Sequence, residues 1–264
     1  MKLGMSDWGI GGLGLYELVK KARPDVGITY ISDQGSIPYT MMSRLELAER
    51  VQQIMLTFRR LGVERVVFAC NAASTALDEV AVLGIDATGV IEPTLRSMRT
   101  KRFREVGVIG GRRTILSGAY GRALRKQRFC VLQRISLDLS VAIESGLANT
   151  PETREILGGL LEPLVKADCV LLACTHYRLV APTIQEILPF AVIVDPVDET
   201  AAELVQMLPR PTEEHVPDAF YTTGEPEAMA QRAYEYFNLD IRANTLDAER
   251  PELVASKHPG FLLK

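Results

Sequence analysis

The chain has 264 residues, 47% hydrophobic and 24% charged, a composition that supports a packed core and excludes wholesale disorder. Thirty Lys and Arg stand against thirty-three Asp and Glu, a net charge near −3 with no long basic run, which argues against a nucleic-acid partner. No stretch reaches the roughly 18 apolar residues of a membrane span, and the opening MKLGMSDWGIGG lacks the apolar run of a secretion signal, so the expectation is a cytoplasmic protein without a membrane partner.

Short apolar, β-branched runs alternate with longer segments of helical period, which predicts an α/β fold with mostly parallel sheets. A first strand over Lys2 to Met5 leads through Asp7 into a helix over Leu13 to Ala22, and a second strand over Gly27 to Ser32 ends at Asp33. A long helix from Ser43 to Leu61 precedes a strand over Arg65 to Ala69, which ends in Cys70-Asn71, with a helix expected over Ser74 to Val82. A strand over Ala87 to Ile91, a helix over Thr94 to Thr100, a strand over Val106 to Ile109 and a helix over Ser117 to Arg125 follow. The remainder reads as a strand over Arg128 to Leu132, a helix over Pro151 to Leu164, strands over Cys169 to Ala173 and Val192 to Val194, with a helix over Pro182 to Leu188 between them, and a strand over Ala219 to Thr222. Further helices are expected after Glu199 and Glu225.

Open α/β sheets bind ligands outside the carboxyl ends of their strands. Five strand ends carry chemistry: Asp7, Asp33, Cys70-Asn71, Cys174-Thr175-His176 and Asp195. The two cysteine strands, VVFACNAAS and VLLACTHYR, resemble each other; either an internal duplication split near Pro93 or the common apolar character of buried parallel strands accounts for it. In a reducing compartment the four cysteines are read as thiols. Cys169 and Cys174, five apart in an apparent strand, point to opposite faces and share neither a metal nor a disulfide. A catalytic thiol needs a positive setting or a neighbouring base, which a helix start gives Cys70 and His176 gives Cys174; Cys130 and Cys169 lack one and are read as structural. A second reading stays open, because Gly9, Gly11 and Gly14 form a GxGxxG after a strand with Asp33 ending the next, the pattern of a dinucleotide-binding oxidoreductase.

The motifs DWGIGG at Asp7, IPY at Ile37 to Tyr39, ACNAAS at Ala69, GVIEP at Gly89, VGVIG with Thr114, Ser117 and Tyr120 following, and ACTHY at Ala173 resemble the ordered motifs of the glutamate racemases. The resemblance runs from about Met1 to about Thr200, with the two cysteine motifs about a hundred residues apart. It implies two similar Rossmann-like or flavodoxin-like domains, 1–93 plus 205–264 and 94–204, with the active site in the cleft between them. It further implies a cofactor-independent isomerase of an amino acid, with no metal, forming D-glutamate for peptidoglycan. On the matching positions, Cys70 and Cys174 are the proton-transfer thiols, Asp7 assists Cys70, and Glu144 and His176 assist Cys174. Substrate contacts fall to Trp8, Pro38, Tyr39, Thr40, Asn71, Ala72, Thr114 and Thr175. The only small-molecule partner implied is the amino acid, and base rates favour a homodimer.

Five positions depart from that pattern: Trp8 stands where Ser is usual, Thr40 where Gly follows Pro-Tyr, Ala72 where Thr follows Cys-Asn, Gly111 where Thr is usual, and Arg178 where Pro follows Cys-Thr-His-Tyr. The bases are retained and the substrate clamp is altered. A descendant that binds an amino acid or a partner protein without turnover is therefore a further alternative.

Overall fold

The computed structural model describes residues 2–80, 84–211 and 216–246. Every strand pairing in it is parallel, and there are two sheets. The chain runs β1 (Lys2–Asp7), α1 (Leu13–Ala22), β2 (Gly27–Ser32), α2 (Arg44–Arg60), β3 (Arg65–Phe68), α3 (Asn71–Ser74), β4 (Asp86–Gly89) and α4 (Ile91–Met98). It continues with β5 (Glu105–Gly110), α5 (Arg112–Ser117), α6 (Ala119–Lys126), β6 (Cys130–Ile135), α7 (Leu139–Glu144), α8 (Pro151–Leu161), β7 (Cys169–Ala173), α9 (Ala181–Ile187) and β8 (Val192–Val194). It closes with α10 (Pro196–Met207), β9 (Ala219–Thr222), α11 (Pro226–Phe237) and β10 (Ala243–Thr245).

The six-stranded sheet has the order β10-β9-β2-β1-β3-β4 and the four-stranded sheet the order β6-β5-β7-β8. The segment β2-β1-β3-β4 of the first therefore repeats as β6-β5-β7-β8 in the second, so β3 and β7, which lead to Cys70 and Cys174, are topological equivalents. Each order doubles back beside its first strand, between β1 and β3 and between β5 and β7, and such a reversal opens a crevice at the carboxyl ends of the strands.

Both sheets are covered on both faces, which is why their strands read as near-continuous apolar runs. In the first sheet Leu3, Met5, Ile28 and Tyr30 meet α1, α10 and α11 through Leu15, Val197, Leu204 and Ala233. On its other face Ile31, Val66 and Phe68 meet Val51, Ile54 and Phe58 of α2. In the second sheet Ile109, Val170 and Leu172 pack on Leu157 and Ile184, and Val106, Val108 and Leu171 on Leu95 and Leu124. Full burial of such a side chain contributes about 1.5–3 kcal/mol, so these four layers carry the fold. Among the described residues no helix is long and apolar enough to cross a membrane.

Two predicted helices take a different form. The helix expected over Ser74 to Val82 begins instead at Asn71, lasts one turn and gives way to a 3₁₀ turn over Leu77–Glu79; residues 81 and 82 lie outside those described. Ser74 Oγ donates to the Cys70 carbonyl at 2.7 Å and accepts from Val90 N at 3.0 Å, while Thr75 Oγ1 donates to the Ala72 carbonyl at 2.7 Å. These side-chain bonds compete with the helical ladder and stop it. The helix expected over Ser117 to Arg125 is α6, which starts two residues later because Gly118, in the left-handed region at φ 68°, separates it from α5, a helix the sequence did not predict. The six-residue helix α7 and the short strand β10 were also not predicted.

Candidate active site

The cleft lies where the carboxyl ends of β1 and β3 face those of β5 and β7. Its walls are Asp7, Trp8, Pro38, Tyr39, Thr40, Cys70, Asn71 and Ala72 from the first sheet's side, and Gly111, Thr114, Ser140, Ala173, Cys174, Thr175 and His176 from the second. Both thiols are free. Each sits at the junction between a strand and a helical turn: Cys70 caps α3 and Cys174 caps the 3₁₀ turn over Thr175–Val180, both with extended backbone.

The two cysteines have opposite surroundings. Cys70 is buried beside the Asp7 carboxylate, and burial first, then the charge of Asp7, push its thiol well above the ordinary cysteine range. Cys174 Sγ lies 3.9 Å from His176 Nδ1, and His176 Nε2 lies 2.6 Å from Glu144 Oε2. Burial alone would lower the imidazole's pKa, but the bonds to Cys174 and Glu144 raise it well above the usual histidine value. Carboxylate, imidazolium and sulfur thus form a chain that ends at Cys174, whereas the buried pocket around Cys70 favours a thiol.

Asp7 and Glu144 also join the two halves. Asp7 accepts from Trp8 N through Oδ1 and from Thr175 Oγ1 through Oδ2, both at 2.7 Å. Glu144 Oε2 accepts from Ile10 N at 3.0 Å as well as facing His176. A Cβ at Gly9 would overlap the Glu144 carboxylate, and one at Gly11 would come within 2.7 Å of Thr175 Oγ1 and 2.8 Å of His176 Nδ1. One at Gly14 would meet Arg178 Cδ at 2.9 Å. The glycines of the GxGxxG are thus required by protein side chains that cross from the second sheet, not by a pyrophosphate. Asp33 is equally committed: it is fully buried, paired with Arg50, and accepts from Tyr39 OH at 2.7 Å and Thr223 Oγ1 at 2.9 Å. No acceptor is left for a ribose, and the dinucleotide reading loses both of its supports. Among the described residues no three His, Cys, Asp or Glu side chains form a metal-binding group.

The profile of the Asp/Glu/hydantoin racemase family matches residues 15–204. The chain belongs to that family. Among curated relatives, this racemase is 33% identical to the glutamate racemase of Gloeobacter violaceus over 90% of this chain and 93% of that one, and 32% identical to that of Shouchella clausii over 90% of each. Among solved structures it superposes on glutamate racemase isoform RacE1 of Bacillus anthracis with a TM-score of 0.85 and 28% identity, covering 93% of this chain and 97% of that one. The glutamate racemase of Thermus thermophilus in complex with β-chloro-D-alanine gives 0.82 and 26% identity over 94% and 98%. The α/β architecture with two parallel sheets is the one these structures share.

Four of the five departures from the glutamate racemase pattern line the racemase's cleft; the fifth does not. Arg178 is tied to Asp195 at 2.5 Å and Asp198 at 2.8 Å, and packs beneath Gly14, so it is a strut between the 3₁₀ turn, α10 and α1. Trp8 closes one wall with its ring centroid 5.9 Å from that of His176 and its indole N–H donating to the Ser36 carbonyl at 3.3 Å. Tyr39 spends its hydroxyl on Asp33, which leaves only its ring for the cleft. Two residues escaped the sequence reading. Ser140 sits on α7, six residues too few for an apolar period to stand out, even though Asp138 precedes the helix and Gly146 follows it. Tyr120, noted only within a motif, donates to Asn71 Oδ1 at 2.8 Å and so fixes which way that amide faces.

Proposed function

We propose that this racemase inverts Cα of an acidic amino acid, glutamate or a close analogue, by a two-base exchange between Cys174 and Cys70. In one direction the Cys174 thiolate removes the Cα proton while the Cys70 thiol donates its own to the opposite face. The product leaves Cys174 as thiol and Cys70 as thiolate, ready for the reverse reaction. The observation that carries this reading is the placement of two free thiols on one cleft in unlike settings: Cys70 buried beside Asp7, and Cys174 3.9 Å from an imidazole that Glu144 holds at 2.6 Å. Proton transfers by positioned groups of this kind contribute about 10²–10⁴-fold each. Among the described residues no Lys or Arg lines the cleft, so hydroxyl and amide donors from Thr40, Asn71 and Thr114 are what would hold the substrate's carboxylates, while Thr175, whose proton goes to Asp7, offers its oxygen to the ammonium group.

The domain division 1–93 with 205–264 against 94–204 is supported by the separate sheets, although residues 247–264 lie outside those described. Because Val197, Ala201 and Leu204 pack into the first core, we place the return crossing near Asp195. The deciding experiment incubates the protein in D₂O with each enantiomer of glutamate, aspartate and the small amino acids. Cα deuteration with loss of optical activity is expected; no deuteration of any of them would overturn racemisation and leave amino-acid binding as the surviving reading, for which the lost hydroxyls at positions 8 and 72 speak.

A further inference from the structure

Thr40 Oγ1 and Asn71 Nδ2 are buried polar atoms without a hydrogen-bond partner, and both residues line the cleft. Such atoms are rare in folded proteins and ask for a reason. Asn71 has one: its amide oxygen is held by Tyr120, which leaves the NH₂ as the uncommitted end of the amide on the cleft wall. Thr40 has a second peculiarity, because it faces Gly111. A Cβ built on Gly111 would lie 2.7 Å from Thr40 Oγ1 and 3.1 Å from Thr40 Cβ, so a side chain there and the threonine cannot share the space.

The backbone does not demand this glycine. Gly111 has φ −67° and ψ 159°, which any residue adopts, and it occupies the N-cap of α5, a position where Ser, Thr, Asp or Asn would accept a bond that the helix here lacks. The sequence forgoes that cap, and room for Thr40 is what it gains. We propose that Thr40 and Gly111 are a complementary pair: Gly111 leaves the space in which Thr40, on the loop after β2, donates its hydroxyl to the substrate's carboxylate beside the Asn71 amide. The inference rests on the racemase reading above.

Thr40→Val keeps the shape and removes only the hydroxyl, Thr40→Ser keeps the hydroxyl, and Thr40→Gly with Gly111→Thr exchanges the two side chains across the cleft. With the amino acid that the wild type racemises fastest, Thr40→Val is expected to raise KM about 10–150-fold, the worth of a hydrogen bond to a charged group, while Thr40→Ser stays within about threefold. Gly111→Thr alone should be impaired and unstable, and the double exchange should recover at least about tenfold over the worse single variant. A Thr40→Val KM within twofold of wild type would overturn the substrate contact, and a double variant no better than the worse single would overturn the pairing. Calorimetric titration with D- and L-glutamate and D- and L-aspartate reads the contact without turnover. An inert wild type that still binds more tightly than Thr40→Val counts against racemisation alone; equal affinities, or no binding by either protein, count against this inference.

Discussion

Asp7 is the residue on which both thiols depend, since it accepts from Thr175 beside Cys174 and its charge helps keep Cys70 protonated. If the two thiols exchange the proton, Cys70→Ser and Cys174→Ser should each lower turnover by at least about 10²–10⁴-fold with little change in the unfolding midpoint, because a serine hydroxyl is far too weak an acid-base group near neutral pH. Cys130→Ser should leave both rate and stability unchanged, since that residue is exposed, and the buried Cys169→Ser should cost about 1–3 kcal/mol without slowing chemistry. Near wild-type racemisation by either of the first two variants removes that cysteine from the mechanism. A second pair of substitutions addresses the wall: Trp8→Ser with Ala72→Thr should shift the ratio of kcat/KM toward glutamate, measured by a chiral assay on several amino acids. Efficient and selective glutamate turnover by the unaltered protein would show that Trp8 and Ala72 are compensated elsewhere. The cysteine motifs and Asp7 were legible because strand ends announce themselves by a change from apolar to polar residues. Tyr120, Ser140 and the Thr40–Gly111 contact were not, because each depends on which segments meet across a cleft, and spacing along the chain carries no record of that.

At the scale of elements, the loop between β2 and α2 delivers Pro38, Tyr39 and Thr40 to the cleft and is anchored at one buried point. Asp33 at the end of β2 is paired with Arg50 of α2, takes the Tyr39 hydroxyl, and reaches Thr223 after β9, whose hydroxyl also accepts from Gly35 N at 3.0 Å. Arg50→Met should therefore destabilise the protein by about 3–5 kcal/mol in urea unfolding, because the Asp33 charge would be left buried without its partner. It should also raise KM more than it lowers kcat, since the loop holds substrate and not the reacting thiols; a variant with unchanged stability would refute the anchor. Helix positions divide along similar lines. The helices α1 and α2 follow from apolar period and the Ser43–Glu46 capping box, all of which is local. The shortness of α3 is not local: Ser74 bonds to Cys70 and receives Val90 N from the far side of β4, a contact that helix propensity cannot anticipate.

For the whole molecule, the repeat of β2-β1-β3-β4 as β6-β5-β7-β8 puts equivalent strand ends opposite each other and gives a symmetric scaffold to a reaction that must work from both faces of one carbon. The fold class and most strands were readable from alternation, and the sheet orders were not, because parallel pairing joins segments far apart in sequence. The same burial that tunes the site has a thermodynamic consequence. Burial holds the Cys70 thiol well above the cysteine range and Cys169 up to about 12, so both stay protonated in the fold at pH values where the unfolded chain, with ordinary pKa near 8.5, ionises. A group whose folded pKa is raised stabilises fully below the unfolded value and loses that contribution as pH rises toward the folded value. Cys169 then removes about 1.4 kcal/mol at pH 9.5 relative to pH 7, and Cys70 acts in the same direction. His176 acts in the same direction, since its raised pKa gives stability that is complete below about 6.5 and fades as pH climbs through the folded value. Urea midpoints of the wild type should accordingly fall between pH 7 and 9.5, and a Cys169→Ala variant should show a smaller loss over that range. A midpoint that is flat across that range would mean that the buried thiols are ionised in the folded protein, which would also remove the neutral acid that the two-base reading requires of Cys70.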